Sequence, residues 1–160
     1  MAHPLPITLH RAMAEDAATI RDVTRAAYAR WVPVIGREPL PMAVDYDQAL
    51  REHRFDLLRR GGETLALIET MLREDHLWIE NIAVRPDAQG QGLGRMLLDH
   101  AEAMADESRR AELRLLTNAA FGSNVALYQR HGYIVTAREA FRGGVTVHMR
   151  KRLGTGGGRV

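Results

Sequence analysis

Hydrophobic positions along this chain switch between a period of two and a period near three and a half, and the switches predict the elements. Ile7 to Arg11 alternates apolar and polar, the pattern of a short strand. Ile20, Val23, Ala27 and Trp31 then lie on one helical face, behind Glu15 and Asp16, whose charges suit the positive end of a helix. Pro33, Gly36, Pro39 and Pro41 interrupt any period and predict a loop, followed by a shorter helix from Asp45 to Glu52. Arg54–Arg59 and Thr64–Leu72 read as strands around the turn signal Arg60-Gly61-Gly62-Glu63. Arg73-Glu74-Asp75 turns the chain into a further strand, His76 to Val84, so three neighbouring strands form an antiparallel meander. Leu93, Met96, Leu97, Ala101 and Met104 predict a helix from Gly92 to Ser108, long enough to cross to a parallel strand at Glu112–Thr117. A helix from Ser123 to His131 ends at Gly132, a left-handed cap. Strands Tyr133–Arg138 and Val145–Arg152 turn through Arg142-Gly143-Gly144. The pattern predicts an α/β chain with a mixed sheet of about seven strands and helices on both faces. It forms one domain, 1–153, with a flexible glycine-rich tail, 154–160.

One junction carries chemistry. Between the strand ending at Val84 and the helix beginning at Gly92 runs Arg85-Pro86-Asp87-Ala88-Gln89-Gly90-Gln91-Gly92-Leu93-Gly94-Arg95. Proline ends sheet pairing, and the glycines leave uncovered backbone where the first helical N–H groups have no partner. Such a turn suits a phosphate. A nucleoside-triphosphate loop would follow its last glycine with Lys-Ser or Lys-Thr, and here Arg95-Met96 follows. The glycine spacing of a dinucleotide fingerprint is also missing. On spacing alone, a turn that merely joins strand to helix stays open.

The residue types go further. Gln89-x-x-Gly92-x-Gly94, directly after Asn81-Ile82-Ala83-Val84-Arg85-Pro86, resembles the acyl-CoA signature of the GNAT superfamily of N-acetyltransferases. Asn124-Val125-Ala126-Leu127-Tyr128 and Gln129-Arg130-His131-Gly132-Tyr133 are similar to that family's late helix and following strand. The resemblance runs from about Ile7 to Leu153 and is strongest from Ile79 to Tyr133. It implies the GNAT fold and acetyl-CoA as co-substrate, with no metal.

What the resemblance implies for single residues follows from the needs of acetyl transfer. The amides of Gln89, Gly90, Gln91, Gly92, Leu93, Gly94 and Arg95 hold the pyrophosphate. Backbone groups of Ile82, Ala83 and Val84 pair with the pantetheine arm, and an N–H there polarises the thioester carbonyl. Tyr128 supplies a proton or hydrogen bond to the leaving thiolate. Asn124, one turn before Tyr128, and Asn118 lie beside the cofactor. Glu80, a carboxylate on the strand face of His76, Trp78, Ile82 and Val84, removes the amine proton directly or through water; pairing with an arginine is its alternative role. Trp31, Tyr46 and Glu80 face the acceptor. Two positions depart from the pattern. Phe121 stands where many members carry asparagine, and Leu116 where the ribosomal-protein alanine acetyltransferases carry glutamate.

Composition narrows the alternatives. The 160 residues contain no cysteine, which excludes a cysteine acyl-enzyme and thiolate metal sites. Net charge is +2, nearly all the basic residues are arginine, and Lys151 is the single lysine. No dense basic run points to nucleic acid, and no apolar run is long enough to span a membrane. No export signal is evident, so a cytoplasmic enzyme is expected. The segment Trp31 to Tyr46 is apolar, proline-stiffened and mixed in charge, which suits a small-molecule amine acceptor. A protein or peptide amine is the alternative acceptor. A non-catalytic acyl-CoA-binding module is the alternative of another class. The resemblance leaves a homodimer open.

Overall fold

Seven strands form one mixed sheet in the order β1-β2-β3-β4-β5-β7-β6 in the computed structural model, which describes residues 3–154. The strands are β1 (Ile7–Arg11), β2 (Arg54–Arg60), β3 (Glu63–Leu72), β4 (Leu77–Val84), β5 (Glu112–Asn118), β6 (Ile134–Phe141) and β7 (Gly144–Arg152). The helices are α1 (Ala17–Tyr28), α2 (Val32–Ile35), α3 (Tyr46–Glu52), α4 (Leu93–Glu107) and α5 (Gly122–Arg130). β1/β2, β5/β7 and β6/β7 pair antiparallel, and β4/β5 pair parallel. The parallel pair β4/β5 is joined through α4, as a crossover requires. Apart from Gly154, the expected tail lies outside the described residues. No described helix is long and apolar enough to cross a membrane.

Two compact units divide the chain: Met1–Glu69 with Asn81–Gly94, and Thr70–Glu80 with Arg95–Val160. In the first, Ile20, Phe55, Leu57, Leu67 and Ile68 are fully buried. α1 supplies Ile20, Val23 and Ala27 as its pattern predicts, while Trp31, beyond the helix end, is only half-buried. Alternation in β1 does not bury a face: Ile7 is half-buried and the other four residues are exposed, as an edge strand permits. Pro33 does not break structure. It sits in the first turn of α2, where the missing N–H has no partner to lose, and Gly36 closes the turn with φ +76°.

In the second unit, Leu77, Leu97, Leu98, Ala101, Ala105 and Leu113 are buried. The buried stripe of α4 runs through Leu97, Leu98, Ala101, Met104 and Ala105, whereas Met96 is exposed. Gly132 follows α5 at φ +95°, the cap its position predicts. Lys151 pairs with Glu102, and His131 Nε2 lies 3.0 Å from Asp99.

The β3–β4 hairpin holds one irregularity. At its turn Arg73 N donates to the His76 carbonyl (2.9 Å), and at its far end Arg85 N donates to the Leu65 carbonyl (2.9 Å). Between these bonds β4 advances one residue further than β3, so β4 carries an extra residue. Burial along β4 reflects it. Leu77 and Ile79 are buried and Trp78 and Glu80 are not, but Asn81, Ile82 and Ala83 are buried in succession. The single face expected to run from His76 to Val84 therefore ends after Glu80.

Candidate active site

The phosphate-type turn is built by a strand that must stop and a helix that must start. Arg85 N makes a last ladder bond, and Pro86 then opens a short 3-10 turn, Pro86–Ala88. Arg85 grips Asp87 through Nε (3.0 Å) and Nη2 (2.6 Å). That hydrogen bond holds the Asp87 carboxyl below the usual carboxylate range and raises Arg85. Gly90 and Gly92 both take φ +78°, where an L side chain is strained. A Cβ at either position would meet open space, so the demand for glycine is torsional. Gln89, Gly90, Gln91, Gly92 and Arg95 are exposed, Gly94 is half-buried inside α4, and Leu93 is buried at 2% exposure, anchoring the helix start. The result is an exposed turn ending on the unpaired N–H groups of a fifteen-residue helix.

Two arginines distant in sequence reach this turn. Arg30 Nη1 donates to Gln89 Oε1 (3.3 Å), and Arg60 Nη2 donates to Gln91 Oε1 (2.9 Å). The Arg30 guanidinium also lies 4.3 Å from the centre of the Trp31 ring. Gln89 Nε2 turns back toward the Val84 carbonyl at 3.5 Å. No spacing in the sequence signals these partners, because they depend on where α1 and β2 end.

Ile82 and Ala83 are buried and Val84 is half-buried, so their side chains belong to the core. Beside them lies a buried polar group the sequence did not signal. The Tyr28 hydroxyl donates to Asn81 Oδ1 (2.8 Å) and lies 3.5 Å from the Ile82 carbonyl oxygen. Asn81 Nδ2 lies 3.5 Å from Thr24 Oγ1. The only hint is Asn81 itself, a polar residue in an apolar strand.

In the second unit, the parallel register between β4 and β5 runs from Leu77↔Leu113 to Ile79↔Leu115. Glu80 follows directly and is exposed. Its Oε2 accepts from the Trp78 indole N–H at 2.6 Å, an indole partner where an arginine was the alternative. His76 lies just before β4, with Nδ1 on Asp75 Oδ1 at 2.7 Å. Tyr128 is buried on α5, and burial pushes its phenol up to about 12. Its ring stands 6.0 Å from that of Tyr133, whose buried hydroxyl has no partner among the described residues. Burial first, then the Glu102 carboxylate, raises the Tyr133 phenol as well. Asn124 is half-buried one turn before Tyr128. Asn118 Oδ1 accepts from Ala120 N (2.9 Å) and shapes the turn into α5. Phe121 is buried just before α5, and Leu116 is 46% exposed.

The acceptor-side residues divide. Trp31 is half-buried under Arg30. Tyr46 is only 3% exposed; its hydroxyl donates to the Pro41 carbonyl (2.6 Å) and its ring packs edge-on against Phe55. Burial of its ring makes Tyr46 part of the frame of this segment, against the expectation that it faces the acceptor. Asp99, Glu102 and His131 bring metal-ligand-type atoms within 4.8 Å of one another. The Lys151 ammonium already pairs with Glu102 there, so the group reads as an ion-pair cluster.

Comparison with known proteins gives this geometry its class. The model of the acetyltransferase (GNAT) domain matches residues 52–135, more than half of the chain. The chain belongs to the GNAT acetyltransferase family. It is 37% identical over 76 residues to the [ribosomal protein bS18]-alanine N-acetyltransferase of Escherichia coli K12, a match covering 48% of this chain and 51% of that protein. The match thus spans about half the length of that curated relative. Among solved structures, the ribosomal-protein-S18-alanine N-acetyltransferase from Escherichia coli aligns with TM-score 0.77 at 21% identity, over 97% of this chain and 99% of that one. The PaiA N-acetyltransferase from Thermoplasma acidophilum, in complex with coenzyme A, aligns with TM-score 0.81 at 17% identity, over 92% and 99%. At those identities the structures share the fold.

Proposed function

We propose that this protein transfers the acetyl group of acetyl-CoA to a primary amine by direct attack in a ternary complex. The observation that carries the reading is the exposed turn with left-handed Gly90 and Gly92 opening onto the start of α4, inside the residues that match the family. In this reading the amides from Gln89 to Arg95 bind the pyrophosphate, with Arg30 and Arg60 holding the glutamines that flank the glycines. Backbone groups of Ile82, Ala83 and Val84 take the pantetheine arm and the thioester carbonyl. Asn118 and Asn124 line the cofactor path.

The amine nitrogen attacks the thioester carbon, the new C–N bond forms and the C–S bond breaks. Glu80, exposed and oriented by Trp78, takes the amine proton directly or through water. The departing electron pair stays on sulfur. Tyr128 meets it as a hydrogen-bond donor. A free thiol has a pKa near 8.5 and is a stronger acid than a phenol held at about 12, so Tyr128 keeps its proton while the thiolate collects one from the amine side.

For the acceptor, a small amine is the favoured reading. The segment from Trp31 to Tyr46 lies outside the matched residues 52–135, and Tyr46 and the buried Pro39 stiffen it. The second reading is a peptide or protein amine, favoured by the activity named for the Escherichia coli relative. The deciding experiment measures CoA release with free amino acids, simple amines, polyamines and N-terminal peptides at equal concentration. Peptides with kcat/KM values 100-fold above every small amine would overturn the small-acceptor reading. Acetyl-CoA binding without CoA release for any amine would instead make the protein a binding module.

A further inference from the structure

The proposed chemistry places the thioester against the backbone of β4 from Ile82 onward, and that backbone is also approached from outside the sheet. β4 carries its extra residue in this hairpin, and an inserted residue leaves the local ladder incomplete. A holding point outside the sheet comes from one turn of α1. Thr24 and Tyr28 lie four residues apart on one face of α1, and both are buried against Asn81. The 2.8 Å bond from the Tyr28 hydroxyl is a full hydrogen bond that locks the Asn81 amide. The same hydroxyl oxygen stands 3.5 Å from the Ile82 carbonyl oxygen. A peptide unit is planar, so the direction of the Ile82 carbonyl also fixes the direction of the Ala83 N–H on the other side of that plane. Asn81 is 4% exposed and Thr24 fully buried, which keeps water from replacing these contacts.

We propose that Tyr28 is a positioning residue for acetyl transfer: through Asn81 it sets the orientation of the Ile82–Ala83 peptide that receives the thioester. The proposal rests on the acetyltransferase reading and adds a residue outside the matched stretch to it. It touches neither substrate nor cofactor.

The test is Tyr28→Phe, which keeps the ring and removes the hydroxyl, with Thr24→Val as companion. Three quantities are read on the intact protein: acetyl-CoA affinity, kcat with the best amine of the panel, and the amide NMR shifts of Ile82 and Ala83 with acetyl-CoA and with CoA. In the wild type the Ala83 amide should shift differently with the two ligands, because only one carries the thioester carbonyl. Tyr28→Phe should abolish that difference and lower kcat about 10- to 100-fold, with acetyl-CoA affinity changed less than about threefold. Thr24→Val, which removes only the 3.5 Å contact, should keep most of the difference. A Tyr28→Phe variant with wild-type kcat and an unchanged Ala83 response overturns the proposal and leaves the acetyltransferase reading intact. A wild-type protein that does not bind acetyl-CoA overturns both. A variant that is merely less stable, with normal kcat per folded molecule, assigns Tyr28 to packing and also overturns it.

Discussion

The turn from Arg85 to Gly94 and the segment from Trp31 to Tyr46 have opposite characters, although both are connections rich in proline and glycine. In the turn, the backbone holds the information. Two glycines at φ +78°, a proline at the end of a strand and an unpaired helix start define its shape, and most of its polar side chains are exposed. In the segment, side chains hold the information, and their destinations are remote or inward. Glu38 and the Met42 carbonyl are met by Arg25 of α1, and Tyr46 turns into the core with its hydroxyl on the Pro41 carbonyl. A function written in the backbone reads out locally, whereas one written in side-chain contacts reads out only after folding.

The contrast can be broken experimentally. The largest effect belongs to neither loop and calibrates both. Tyr128→Phe should lower kcat by roughly 10- to 1000-fold while leaving acetyl-CoA affinity nearly unchanged, measured by steady-state kinetics and calorimetry. Turnover near wild type, with chemistry shown to limit the rate, would return Tyr128 to packing. Its burial also gives a pH signature. The folded phenol titrates above its ordinary value of 10, so its contribution to stability is complete below pH 10 and is lost as pH rises toward about 12. Alkaline melts should show this loss in the wild type and a smaller one in Tyr128→Phe.

Next comes the turn itself. Gly92→Val should weaken acetyl-CoA binding at least tenfold, about 1.4 kcal/mol, in a protein that still folds. The new side chain meets open space, so the loss would come from forcing the left-handed backbone out of its angle. Unchanged affinity by calorimetry would remove the turn from the cofactor site. Tyr46→Phe should do the reverse. Losing the bond to Pro41 should lower stability by about 1 kcal/mol and raise KM for the amine severalfold. Acetyl-CoA affinity should stay within about twofold. An equal loss for both substrates would erase the division between the two regions.

The smallest effect is expected at Asp87→Asn. Arg85 depresses this carboxyl, so their attraction is present above the ordinary carboxylate range and fades only as pH falls through the lowered value. The Asp87 carboxyl is exposed to solvent, and at neutral pH acetyl-CoA affinity should change less than about threefold. A larger change would make the 3-10 turn before the glycines part of the binding element.

The same division explains how much was legible in advance. Every strand was visible, because alternation, apolar runs and glycine turns are local signals, and β1 and β7 begin and end within a residue of where their patterns do. The left-handed cap at Gly132 was visible for the same reason. α2 was not, because Pro33 reads as a breaker until its place in the first helical turn is known. The extra residue in β4 was not, because a bulge is a mismatch between two strands and neither strand contains it alone. Arg30 and Arg60 beside the glycines, and Tyr28 on Asn81, were invisible for a related reason: each contact joins residues more than thirty positions apart.

The proposed activity would expose the protein itself to a reactive thioester. Uncatalysed acylation falls on unprotonated amines, and this chain offers a single lysine side chain for it. That lysine is engaged by Glu102, and its aliphatic stem lies against Gly132. Most of the remaining positive charge is carried by guanidinium groups, which stay protonated and do not compete for the acetyl group. Prolonged incubation with acetyl-CoA should therefore leave the side chains of the protein almost unmodified by intact-mass measurement. Under the proposed activity the chain is chemically quiet toward acetyl-CoA, so acetyl groups lost from the pool in an assay report on the added amine.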